Sequence, residues 1–128
     1  MIYLDTSAAL AHLLAEDRAP PAALWQETLI ASRLLEYEIW TRLHARGLAA
    51  SHGEDARALI GPVALIELVQ PILARALDAL AVPARTLDAL HLASIEFLRA
   101  RGQIIELATY DERLAASATA LGIPLYAL

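Results

Sequence analysis

Short apolar runs alternate with longer stretches of good helix formers along this chain, and that alternation restricts the fold more than any other feature. Strands separated by helical segments imply parallel pairing, because a helix is what carries the chain back to start the next strand in the same direction. Ile2 to Leu4 is the first apolar run and ends at Asp5, with Thr6 and Ser7 as candidate caps for a helix through Ala8 to Leu14. Glu16 to Pro21 breaks the pattern, a short helix is expected through Ala22 to Gln26, and Thr28 to Ala31 reads as a second strand. Arg33 to Ala45 is helical up to Gly47, and another helix is expected from Glu54 to Ile60, ended by Gly61 and Pro62. Val63 to Val69 fits either a strand or an extended connector, and Pro71 to Leu80 reads as a helix. Thr86 to Arg101 is the clearest helix, with Thr86 as a candidate cap and an apolar stripe through Leu87, Leu90, Ser94, Phe97 and Leu98. Ile104 to Ala108 is then a strand, Asp111 to Leu121 a helix ended by Gly122, and Pro124 to Leu128 a candidate edge strand.

The fold class is therefore α/β, a central, mainly parallel sheet flanked by helices. The length of 128 residues suits a single domain spanning 1–128. In open sheets of this class ligands collect beyond the carboxyl ends of the strands. Asp5 follows the first strand and Asp111 follows the run Ile104 to Thr109, so the two acids are candidates for one site.

The residues that are missing narrow the chemistry. There is no cysteine, which excludes disulfides, thiol nucleophiles and thiolate zinc sites. All 10 basic residues are arginine, which excludes the lysine-dependent mechanisms: the P-loop NTPases, the Schiff-base enzymes, and the folds that pair an Asp cluster with a Lys. A formal charge of −5 runs against the basic footprint of most nucleic-acid binders. If four of the 15 acids are metal ligands, the rest nearly cancel the arginines, and the acidic excess becomes the site itself. Nothing in the sequence would span a bilayer as a helix, and the N-terminus lacks a secretory pattern, so a cytoplasmic protein is expected. Hydrophobic residues make up 58% of the chain, an excess that suggests an interface.

Without Lys or Cys, hydrolysis of a phosphodiester is most readily achieved with divalent metals held by carboxylates and waters. Four segments carry acids suited to this, and they resemble the PIN-domain family, specifically its VapC-type toxins of bacterial toxin–antitoxin pairs. MIYLDTSAAL looks like the family's opening strand and first acid, and SRLLEYEIW resembles its second acidic segment. TLDALHLAS is similar to its internal signature, and ATYDERLAASATALGIPL to its C-terminal strand, acid and helix. The resemblance covers nearly the whole chain. It implies a PIN-like fold and an endoribonuclease in which a metal-activated water cuts RNA. It also implies a requirement for Mg2+ or Mn2+, neutralisation by a cognate antitoxin, and, with the apolar excess, a homodimer. Related readings are a PIN-type nuclease acting on other nucleic acid and a non-catalytic module that binds RNA.

On this resemblance the catalytic and metal-holding residues are Asp5, Glu38, Asp88 and Asp111. Each has a plainer alternative. Asp5 and Asp111 could cap the helices that follow them, Asp88 could complement a helix dipole, and Glu38 could pair with Arg42 one turn on. Periodicity does not choose between Glu36 and Glu38, which point roughly 200° apart on a helix; the family's spacing, matched by Ser32 and Leu34, falls on Glu38. His91 reads as a structural histidine or as a group behind the ligands, and Thr6, Ser7 and Thr109 as hydroxyl supports for the carboxylates. Arg33, Arg42, Arg46, Arg85, Arg99 and Arg101 are candidate phosphate contacts. His12, His44 and His52 show no metal spacing, and Trp25 and Trp40 are assigned to core or interface.

Overall fold

In the computed structural model, which describes residues 1–80 and 83–128, the first strand lies inside the sheet. The four strands β1 (Ile2–Leu4), β2 (Leu29–Ser32), β3 (Ala64–Ile66) and β4 (Glu106–Ala108) follow the order β3-β2-β1-β4, and all neighbours are parallel. Ile2 stands opposite Leu29 on one side and Glu106 on the other. The chain thus steps outward from β1 through β2 to β3, then crosses back to place β4 against the free side of β1. That reversal opens a crevice at the carboxyl ends of β1 and β4, the place where parallel sheets of this kind bind ligands.

Strand periodicity divides the interior in two. Ile2, Leu4, Leu29, Ala31 and Ala108 enter one core, packed with residues of α1 (Thr6–Leu13), α2 (Leu34–Ala45) and α3 (Ala49–Ile60). Tyr3, Ile30 and Leu107 enter the other core. They meet Leu92, Ile95 and Leu98 of α5 (Thr86–Ala100), the helix that follows α4 (Gln70–Ala76), and Leu114 and Ala118 of α6 (Glu112–Ala120). Helices on both faces account for strands that read as continuous apolar runs. No helix among the described residues is long and apolar enough to cross a membrane.

Several boundaries differ from expectation, each for a physical reason. The short helix at Ala22–Gln26 is a 3-10 turn, and β2 runs through Ser32. α3 begins at Ala49 rather than Glu54, with Gly53 inside it: a Cβ there would sit 3.1 Å from Cη2 of Trp40, so the missing side chain lets α2 and α3 approach. α4 stops at Ala76, where Leu77 points to solvent with 88% exposure and offers nothing to hold another turn. Thr86 is already helical; extended Arg85 precedes α5 without a side-chain cap. The buried stripe of α5 runs through His91, Leu92, Ser94, Ile95 and Leu98, while Leu87 is 45% exposed. The expected edge strand after Pro124 is reduced to a bridge between Leu107 and Leu125, since Pro124 has no N–H to extend the ladder.

Leu92→Ala should lower unfolding stability by about 2–5 kcal/mol, because the side chain is fully buried between α5 and the sheet. Leu77→Ala should change it by less than about 0.5 kcal/mol. Urea denaturation of both variants checks the pair.

Candidate active site

The crevice beyond β1 and β4 is a cleft of about 720 Å3 whose lining includes Asp5, Glu38, Asp88 and Asp111. Four separate pieces of chain deliver them: the end of β1, the middle of α2, the first turn of α5 and the start of α6. Glu36 is turned away, held by Arg33 at 2.9 Å, and Arg33 also meets Glu67 at 2.7 Å.

Asp5 caps α1, in place of the expected Thr6 or Ser7, and it does so with one oxygen only. Its Oδ2 accepts from Ser7 N at 3.2 Å, Ser7 Oγ at 2.6 Å and Thr109 Oγ1 at 2.7 Å. No described hydrogen bond uses Oδ1. Asp111 follows the same rule: Oδ1 caps α6 by accepting from Arg113 N at 2.9 Å and Leu114 N at 3.0 Å, leaving Oδ2 facing Arg85 at 3.5 Å. Capping and facing the cleft are therefore compatible, because a carboxylate has two oxygens.

Glu38 is set from behind by a buried relay. The Ser32 amide donates to the Tyr3 hydroxyl at 3.1 Å, the hydroxyl meets His91 Nδ1 at 2.7 Å, and His91 Nε2 donates to Glu38 Oε1 at 2.5 Å. Burial opposes a charge on the His91 ring. The hydrogen bond and charge of Glu38, with Asp5 and Asp88 behind them, outweigh it and raise the pKa above the ordinary value. Burial also pushes the Tyr3 hydroxyl up, so it stays protonated. Asp88 is raised as well, first by burial and then by the charge of Asp111; Arg85, at 3.6 Å, works the other way. Negative charge is thus concentrated at this point of the cleft.

The carboxylates are spread around the cleft. Among the described residues no group of three Asp, Glu or His side chains stands close enough to hold one ion directly.

A family model for the PIN domain matches residues 2–120. The chain belongs to the PIN-domain family. A curated relative, Ribonuclease VapC47 of Mycobacterium tuberculosis, is 29% identical over 129 residues, covering 95% of this chain and 93% of the relative. A solved structure of VapC20 from the same species, described as a sarcin-ricin loop cleaving toxin, shares the fold with a TM-score of 0.61 and 19% identity, over 91% of this chain and 95% of that one.

Within this PIN domain the supporting groups are only partly those expected. Ser7 and Thr109 do hold Asp5, and Tyr110 N–H donates to Ser7 Oγ at 2.9 Å. Thr6 does not join them; its Oγ1 is buried with no hydrogen-bond partner among the described residues. Of the expected phosphate-contacting arginines only Arg42 lines the cleft, and Arg85 lies against Asp88 and Asp111. Arg33 is committed to glutamates, Arg46 ends α2, Arg99 reaches the Leu121 carbonyl, and Arg101 covers Phe97. Sequence reasoning missed Arg18, which lines the cleft, and Tyr3, whose signal was an aromatic residue with a polar tip inside a buried strand.

Tyr3→Phe should lower stability by about 1–3 kcal/mol, since it strands the Ser32 amide and His91 Nδ1 in the interior. Thermal and urea melts measure the loss; wild-type stability in the variant would mean the relay contributes nothing.

Proposed function

We propose that this PIN domain is a divalent-metal-dependent endoribonuclease toxin of the VapC type, with Asp5, Glu38, Asp88 and Asp111 as its catalytic and metal-holding residues. The observation that carries the reading is the common design of the acids. Asp5 and Glu38 each give one oxygen to the protein and keep one outside any described hydrogen bond, at the mouth of a single cleft. The ribonuclease relative supports RNA as the substrate. Neutralisation by a cognate antitoxin, a homodimer and a cytoplasmic setting belong to the same proposal. They rest on the resemblance and on exposed apolar residues such as Leu77 and Ile104.

The donor set fits magnesium or manganese. All four groups are hard oxygen ligands, and Asp88, raised by burial and by neighbouring carboxylates, sits where a cation would relieve the repulsion. The spread of the acids suits an ion that keeps several waters and takes one or two protein carboxylates better than one that needs a full protein cage. When bound, the metal lowers the pKa of a coordinated water and offsets charge building on the phosphate. The chain's own residues do the positioning. Ser7 and Thr109 fix Asp5, His91 fixes Glu38, and no side chain is required as nucleophile. The expected products carry a 5′-phosphate and a 3′-hydroxyl.

Asp5→Asn and Asp88→Asn should abolish cleavage of an RNA strand with the fold intact, and Glu38→Gln should be far more damaging than Glu36→Gln. His91→Gln should reduce activity by about 10–100-fold through its hold on Glu38. Full activity in both Asp variants would reject the site, and equal cutting of matched DNA would move the substrate to nucleic acid in general. Binding of RNA without cutting by the wild type would favour a non-catalytic module.

Magnesium at about 100 times its dissociation constant should raise wild-type stability by roughly 2.7 kcal/mol. Asp88→Asn should melt slightly higher than wild type in chelator and gain less from magnesium, because it removes a half-buried charge that desolvation and Asp111 disfavour. Asp5→Asn should not share the first effect, since Asp5 Oδ2 is matched by three donors. Identical melts of wild type and Asp88→Asn with and without magnesium would separate Asp88 from the cation site.

A further inference from the structure

Arg18 and Arg42 line the cleft, and neither has a carboxylate partner among the described residues, whereas Arg33, Arg75 and Arg85 all do. Arg18 lies on the loop after α1, with its guanidinium carbon 4.7 Å from the centre of the Tyr110 ring. Tyr110 is held firmly. Its backbone N–H donates to Ser7 Oγ at 2.9 Å, its ring packs against the first core, and its chain neighbours are Thr109, which donates to Asp5, and Asp111. The site uses the backbone of Tyr110 and leaves its ring unassigned. An aromatic ring beside the carboxylates, half-buried against the core and with an exposed guanidinium over it, is a pair poised for exchange. An exposed cation on a tyrosine is a weaker contact than a base stacked on an aromatic ring, and a guanidinium pairs more strongly with phosphate. Glu16 and Asp17 line the same rim and repel a polyanion, so Arg18 is the group there that admits one.

Resting on the nuclease reading above, we propose that Arg18 and Tyr110 form a subsite for one unpaired nucleotide of the RNA strand beside the bond to be cut, with the base on the Tyr110 ring and its phosphate on the Arg18 guanidinium. A base inside a duplex is covered on both faces and cannot use the ring, so the subsite selects single-stranded or looped RNA.

The test measures binding of a short fluorescent oligoadenylate, and of the same strand in a duplex, by anisotropy in magnesium, with Asp5→Asn as the background so that the strand is not consumed. Tyr110→Leu keeps apolar bulk against the core but has no ring. It should weaken binding of the unpaired strand by about fivefold or more and leave the duplex nearly unchanged, while Tyr110→Phe should restore wild-type affinity. Arg18→Ala should weaken the unpaired strand and flatten its salt dependence by about one phosphate contact. Equal affinity of Tyr110→Leu and its parent for the unpaired strand, or an equal loss on strand and duplex, overturns the subsite. Cleavage by Asp5→Asn would instead overturn the nuclease site and leave the binding ratios to decide this proposal. A Tyr110→Leu chain with a lowered melting temperature is judged by Arg18→Ala, where unchanged affinity and salt slope also overturn it.

Discussion

The buried hydroxyl of Tyr3 is the contact on which the rest of the arrangement depends. It sits on the central strand, accepts an amide from the end of β2, and meets the one histidine that α5 turns inward. Through that ring it reaches Glu38 on α2. Two strands and two helices are thereby tied through one hydroxyl and one imidazole in an interior where an unmatched polar group is costly. In either charge state of the ring Nε2 carries a hydrogen for Glu38, so the carboxylate keeps its place while its second oxygen stays out of the relay.

The clamp around Asp5 works on the same plan at the surface end of β1. Ser7 and Thr109 approach one oxygen from α1 and from the residue after β4, and the Asp5 amide donates to the Ala108 carbonyl at 3.0 Å. Folding draws on one oxygen of the side chain and leaves the other outside any described hydrogen bond. The same holds for Asp111, whose capping oxygen anchors α6. Repulsion among the acids is tolerated because each is braced by donors or by Arg85.

Much of this was legible in the sequence, for reasons that also mark where legibility stops. Glycines and prolines punctuate the helices, so the order of elements could be read. Gly47, with φ of +68°, ends α2 as expected, because its left-handed backbone lets the Leu48 amide reach back to the Leu43 carbonyl at 2.8 Å. The start of α3 was expected too late, at Glu54, because only the tertiary approach of Trp40 explains a glycine at position 53 inside the helix. Asp5 and Asp111 were visible as acids at strand ends, and the structure brings them to one cleft with Asp88 and Glu38. Periodicity could not separate Glu36 from Glu38, because the decision lies in partners far along the chain: Glu67 with Arg33 on one side, His91 on the other. The Tyr3 relay was invisible for the same reason, joining residues 88 positions apart.

The position of β1 has a further consequence in time. The hydrogen bond from Thr109 to Asp5 closes a separation of 104 residues, and β1 has no second neighbour until β4 exists. Contacts this distant form slowly and late, after the local helices and the β1–β2 pair. A chain emerging from the ribosome therefore carries Asp5 without Thr109, Asp111 or the wall that α6 begins until the 104 residues from Asp5 to Thr109 have been made. The cleft cannot be complete before β4 docks against β1, so a domain that cuts RNA would become competent to do so only after its last strand has cleared the ribosome.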